Sequence, residues 1–248
     1  TDELLGSPGC VEIWNNFYNY LTTQYGLNKK VALEGVSRGG LYVFNFAKKY
    51  PERIACIYAE APVCDFKSWP GGKGFSKGDP ESWKLLMKAY DFKTEKEALD
   101  YKNNPIDNLE KLATAKVPLL FQIGLHDSIV PPNENTYILV DKYIRLGGPA
   151  MIYPNTVGKQ SLQGHHFPID NVKGSADFIR SSYPEVNPIL DSRNYHMLRN
   201  KLHNAQIVFE REKKGRVAFL GGSITANGGW RDSICIYLQK RFPDTKFD

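Results

Sequence analysis

Three short stretches carry residue types that do chemistry together. Gly35-Val36-Ser37-Arg38-Gly39 sets a serine between two glycines, Gly124-Leu125-His126-Asp127 ends in a carboxylate, and Gly164-His165-His166 supplies two imidazoles, in that order along the chain. A serine hydroxyl is a weak nucleophile until a base takes its proton, and an imidazole serves as that base when a carboxylate holds it in the right tautomer. The set therefore suits acyl transfer: Ser37 to attack a carbonyl, His165 (with His166 as the alternative) to accept the proton, Asp127 to orient the ring. Each residue also has a plainer reading, as a turn serine, a capping aspartate or a surface histidine. His126 is expected to point away from the others.

The surrounding pattern decides how these residues could meet. Ser37 follows the apolar run Lys30–Gly35, read as a strand, and precedes Gly39–Tyr50, read as a helix that Pro51 stops. At such a junction a sharp turn exposes the hydroxyl, and flanking side chains would collide, so glycine is expected two residues to either side. Upstream, Ser7-Pro8 caps an amphipathic helix running to Tyr25 before Gly26. Ile54–Ala61, Val117–Gly124 and Ala150–Tyr153 read as further strands, with helices over 133–146 and 174–183. Asp127 and His165 both come just after such strands. Strand, helix, strand with short connections gives an α/β fold, a parallel sheet with helices on both faces, whose carboxyl edge gathers all three residues. From Asp65 to Lys116 the pattern loosens into a glycine-rich loop (Trp69–Gly74) and two modest helices, 82–90 and 93–101. Trp69 and Trp83 there suit either a substrate platform or core packing.

GVSRGG, GLHDSIVPP and GHH together resemble the α/β-hydrolase superfamily over about Gly6 to Tyr183. Serine esterases and prolyl-oligopeptidase-like peptidases both use that frame. The resemblance implies Ser37 as nucleophile, His165 as base because it directly follows the glycine, Asp127 as its partner, and the Arg38 backbone N–H as an oxyanion donor. It also implies that strands normally preceding the serine are absent from this stretch, leaving strand 30–35 as an unpaired sheet edge.

Beyond Pro184 and Pro188, expected to mark a boundary, a bridging helix is read over 189–202, carrying His196, with His203 just beyond it; both histidines are read as surface residues. Arg216–Gly222 reads as a new strand and Asp232–Phe242 as a new helix. Gly221-Gly222-Ser223-Ile224-Thr225 after that strand resembles the first block of SGNH (GDSL-type) esterases, a flavodoxin-like fold, in which Ser223 would be a second nucleophile. The later blocks of that family, with its acid and base, do not follow, so Ser223 is expected to be inactive here. The organisation expected is 1–183 as a partial α/β-hydrolase domain, 184–215 as linker, and 216–248 as the start of an SGNH domain.

Composition narrows the partners. The 248 residues are 42% hydrophobic and 24% charged, an ordinary globular mixture. The net charge of +5 is spread rather than clustered, which argues against nucleic acid. No run approaches the roughly 18 apolar residues of a membrane span. The four cysteines show no metal spacing, so neither metal nor cofactor is expected; a Cys56–Cys64 bridge is open. Two esterase-type motifs in tandem point to an acyl-ester hydrolase; the pair resembles two-domain carbohydrate esterases, which implies acetyl or similar esters on a polysaccharide as substrate. A peptidase and a non-catalytic binding module are the alternatives, and secretion or a periplasmic location is implied by the resemblance alone.

Overall fold

A computed structural model describes residues 2–156, 161–183, 203–219 and 229–247. The chain divides into two compact units, Thr1–Val186 and Asn187–Asp248.

The first unit runs α1 (Pro8–Gln24), β1 (Val31–Val36), α2 (Gly39–Lys49), β2 (Ile54–Glu60), α3 (Pro80–Ala89), α4 (Glu95–Asp100), α5 (Glu110–Thr114), β3 (Leu119–Gly124), α6 (Thr136–Arg145), β4 (Ala150–Asn155) and α7 (Val172–Ser181). Ser7 caps α1 by accepting the Cys10 N–H at 3.3 Å, and Pro8 takes the first helical position, where a missing N–H costs nothing. The short α5 lies where no helix was expected, because one turn of chain carries no readable period. Helix α6 begins three residues later than expected, since Pro131 and Pro132 precede it and Asn135 spends its side chain elsewhere.

The four strands form one parallel sheet in the order β1-β2-β3-β4. Both faces of β2 and β3 are covered, as their unbroken apolar runs require. Ile57, Ala59, Leu119, Phe121 and Ile123 join the core shared with Val11 of α1, Phe44 of α2, Leu112 of α5 and Leu139 of α6. Phe44 lies flat on Phe121, centroids 5.8 Å apart. Cys56, Tyr58 and Leu120 turn to the other face, against Phe178 of α7. Cys56 and Cys64 therefore belong to different cores, and both are free thiols; no bridge joins them. Pro154 sits within β4 because β4 is the last strand and needs no N–H on its outer side.

The segment between β2 and β3 builds a second, aromatic core, which Leu5, Cys10, Leu41, Tyr42 and Val130 join. Phe66 meets Tyr90, Phe92 and Tyr101 at 5.2, 6.1 and 5.3 Å, and Trp83 at 6.2 Å. Two buried side chains tie this segment to the sheet layer. Lys48 of α2 donates its ammonium to the carbonyls of Asn103, Asn104 and Asp107 at 3.1, 2.5 and 2.9 Å. Asn135 accepts the N–H groups of Cys64 and Asp65 and donates to Ser68 Oγ and the Pro131 carbonyl, all within 3.1 Å.

The second unit contains α8 (His203–Ile207), a π-helical stretch (Val208–Glu212), β5 (Lys214–Gly215), α9 (Trp230–Arg241) and β6 (Lys246–Phe247). Strands β5 and β6 pair in parallel, and Phe209 packs edge-on against Phe242 and Phe247. Helix α9 matches the expected helix, extended to Trp230 because Asp232 accepts the Gly229 N–H. The strand expected over Arg216–Gly222 is not formed at Arg216–Phe219: those residues find no partner ladder among the described residues, and the pairing falls two residues earlier. The remainder of that stretch, with Ser223, and the helix expected over 189–202, with His196, lie outside the described residues.

Two outcomes follow for stability. Asn135 is fully buried, so Asn135→Ala strands the Cys64 and Asp65 N–H groups, whereas Ser68 Oγ and the Pro131 carbonyl keep partners in Glu134. The change should cost about 2–3 kcal/mol in chemical denaturation; an unchanged midpoint would show that the Asn135 hydrogen bonds contribute nothing net. Glu60, at the end of β2, accepts the Tyr58 hydroxyl at 2.6 Å, and burial, with Glu34 nearby, raises its pKa above the ordinary 4.5. The folded state then holds its proton longer than the unfolded one, so this group's contribution is favourable below pH 4.5 and is lost as pH rises through the folded-state value. Glu60→Gln keeps an acceptor for Tyr58 and should raise Tm at pH 8 but not at pH 4; a difference independent of pH would contradict this.

Candidate active site

Ser37 stands at the carboxyl end of β1 with φ at +53°, a left-handed conformation that a residue with a Cβ adopts only when its surroundings enforce it. Three hydrogen bonds do so. Its N–H continues the sheet to the Glu60 carbonyl at 2.8 Å, and its own carbonyl accepts from Gly40 and Val63 at 3.0 and 2.9 Å. The glycines act unequally. A Cβ on Gly35 would lie 2.8 Å from Val43 Cγ2 and 3.0 Å from the Gly39 carbonyl oxygen, as a sharp turn requires. A Cβ on Gly39 would meet nothing within 4 Å, so the expected collision is absent there. Gly40 is the crowded one, 2.5 Å from the Val63 carbonyl oxygen, because α2 leaves the turn packed directly on Pro62-Val63.

Asp127 and His165 arrive on loops that touch backbone to backbone. A Cβ on Gly124 would fall 2.3 Å from the Gly164 carbonyl oxygen, and one on Gly164 would fall 2.6 Å from that of His126. Ser128 donates its N–H to the Gln163 carbonyl at 3.1 Å, and Leu162, Gln163 and Gly164 all have positive φ. This tight turn delivers His165, whose own N–H returns to the Leu162 carbonyl.

The three side chains form one line. His165 Nε2 lies 2.8 Å from Ser37 Oγ, and Nδ1 lies 2.7 Å from Asp127 Oδ2. Both His165 and Asp127 are buried. The remaining carboxylate oxygen, Oδ1, accepts the Ile129 and Val130 N–H groups at 2.9 Å each. Asp127 thus makes the contacts of a capping residue with one oxygen and meets the His165 ring with the other. With Nδ1–H committed to the carboxylate, Nε2 carries the lone pair that can take the serine proton, and the same carboxylate stabilises the imidazolium that results.

His166 is not in this line. Its ring meets that of His165 edge-on at 5.2 Å, and burial, then the neighbouring His165, lowers its pKa. The Arg38 N–H, at the start of α2, makes no hydrogen bond among the described residues, which leaves it available to an oxyanion beside Ser37. Trp69 is half-buried against the aromatic core and Trp83 packs on Phe66. Among the described residues no group of three histidine, cysteine or acidic side chains is placed to hold a metal ion, and no helix is long and apolar enough to cross a membrane. Ser223 lies outside the described residues.

Sequence patterns did not single out Leu162-Gln163, Asn135 or Glu134, although each shapes the site. Glu134 accepts from Ser68 Oγ at 2.6 Å and from the N–H groups of Phe75 and Ser76, which ties the loop after Trp69 to the stretch following Asp127. The only signal was the polar run Asn133-Glu134-Asn135 after two prolines, which reads equally well as a helix start.

No curated protein matches the chain. Residues 15–168, more than half of it, match the prolyl oligopeptidase family. Among solved structures, dipeptidyl peptidase 4 of Porphyromonas gingivalis superposes with a TM-score of 0.51 at 15% identity, over 70% of this chain and 22% of that one. An acylaminoacyl peptidase of Pyrococcus horikoshii gives 0.48 at 15% identity, over 75% of this chain and 29% of the other. An acetyl xylan esterase of Paenibacillus sp. R4 gives 0.48 at 19% identity, over 70% and 51%. The chain thus spans between about a fifth and a half of the length of these proteins. The likeness to the first is one of fold. By its sequence over 15–168 the chain belongs to the prolyl oligopeptidase family of α/β-hydrolase-fold serine hydrolases.

Proposed function

We propose that this chain hydrolyses acyl esters, acetyl esters foremost, on a polysaccharide, by an acyl-enzyme mechanism. The Ser37–His165–Asp127 line, with contacts of 2.8 and 2.7 Å, carries the reading. His165 Nε2 takes the proton as Ser37 Oγ attacks the carbonyl, and the Arg38 N–H stabilises the oxyanion. His165 returns the proton to the departing alcohol, and water then cleaves the acyl-enzyme by the same route in reverse. What favours an ester over a peptide is Gly221-Gly222-Ser223-Ile224-Thr225, whose likeness to an SGNH esterase block rests on its sequence alone. An ester-cleaving unit next to a second esterase motif fits a polymer acylated at more than one position.

The family match favours a second reading, a peptidase that cleaves after proline through the same three residues. Release of p-nitrophenol from p-nitrophenyl acetate and of acetate from acetylated xylan, beside release of p-nitroaniline from an alanyl-prolyl anilide, separates the two. The ester reading expects turnover of the first two, reduced at least about 1,000-fold by Ser37→Ala and comparably by Asp127→Asn. Turnover of the anilide alone supports the peptidase. Acetate release that neither Ser37→Ala nor Ser223→Ala lowers would overturn the ester reading.

A further inference from the structure

Phe75 is 79% exposed, the most exposed large apolar side chain among the described residues. A lone exposed aromatic needs no explanation on an ordinary loop. This loop is not ordinary, because its backbone is pinned from several sides. Glu134 Oε1 accepts the Phe75 N–H, and Oε2 accepts the Ser76 N–H and the Ser68 hydroxyl. Ser76, buried, donates its hydroxyl to the Ile129 carbonyl at 2.7 Å and accepts the Gly78 N–H at 3.1 Å. The carboxylate comes so close that a Cβ on Gly74 would overlap Glu134 Oε1, and Gly72 and Gly78 turn the chain at positive φ. Ordering this loop costs backbone entropy, and the buried contacts that offset it leave the phenyl ring outside.

Its anchors lead to the Ser37–His165–Asp127 line. The segment that carries Phe75 leaves the sheet at Val63, bonded to the Ser37 carbonyl, and is fastened again at Ile129, whose N–H is held by Asp127. The loop thus follows β2, the strand between β1 and β3, and is anchored two residues from Asp127. We infer that Phe75 is a platform for the apolar face of a pyranose ring at the rim of the Ser37 crevice, with Glu134 as the positioning residue that holds it there. The inference rests on the hydrolase reading for the place of the reacting bond. An open ring flanked by the exposed Lys73 and Lys77 suits a sugar, which stacks its C–H face while its hydroxyls stay hydrated or meet polar neighbours.

The test uses the full chain carrying Ser37→Ala, titrated calorimetrically with xylohexaose and separately with Phe-Gly-Gly, and the Ser37 chain labelled with a small fluorophosphonate. Phe75→Ala is expected to weaken xylohexaose binding about 5–10-fold and Phe75→Trp to retain it. Glu134→Gln, which leaves the loop fewer acceptors, should weaken it to an intermediate degree. Fluorophosphonate labelling of the unaltered chain reports Ser37 reactivity independently of sugar binding. No xylohexaose binding at millimolar concentration, equal affinity in Phe75→Ala, or Phe75-dependent binding of Phe-Gly-Gly alone would overturn the inference. Phe75-dependent xylohexaose binding by a chain whose Ser37 resists labelling would leave the platform standing and remove the hydrolase reading.

Discussion

The crevice is arranged around a buried carboxylate that serves two masters. Asp127 turns Oδ1 to the Ile129 and Val130 amides and Oδ2 to the His165 ring. The first pair of bonds fixes the carboxylate, and a fixed carboxylate fixes the imidazole plane and its tautomer. An ionised oxygen taken out of water has to be met by donors, or it costs more than it returns. Here two backbone amides and one ring N–H meet it, so position and proton direction follow from the same three contacts.

That arrangement requires two loops to approach more closely than side chains allow. Gly124 and Gly164 provide the approach, and the left-handed run Leu162-Gln163-Gly164 turns His165 inward. Ser37 contributes its own strained conformation on the opposite side. The strain is small beside what holds it: β2 and β3, buried on both faces, anchor the strands from whose ends these loops leave. Stability in the sheet is thus spent on geometry at its edge.

Much of this was legible in the sequence because it depends on local pattern. The Ser7-Pro8 cap, the apolar runs of β2 and β3, and Gly35 at the serine turn have short-range physical causes. Gly124 and Gly164 stand out as glycines beside chemical residues, but the crowding that requires them comes from each other's loop. His165 rather than His166 is brought to Ser37 and Asp127 by a turn whose non-glycine residues, Leu162 and Gln163, give no sign of positive φ in the sequence. The role given to Gly39 by pattern belongs in part to Gly40, because the crowding comes from Pro62 and Val63, more than twenty residues away. Asn135 and Glu134 looked like the start of a helix. Their side chains instead reach back to residues 64–76, and contacts of that span leave no periodic trace. The two-residue pairing of β5 with β6 is too short to show as alternation, whereas Arg216–Phe219 looked like part of a strand and has no partner ladder among the described residues.

The central claim is that Asp127 makes His165 a base for Ser37. Mass-spectrometric mapping of the fluorophosphonate adduct, with its rate followed in the unaltered chain and in Asp127→Asn, tests it most directly. The arrangement predicts a single adduct on Ser37 that forms about 1,000-fold or more slowly in Asp127→Asn while the fold is retained by circular dichroism. An adduct at another residue, or a rate on Ser37 that Asp127→Asn leaves unchanged, would contradict it.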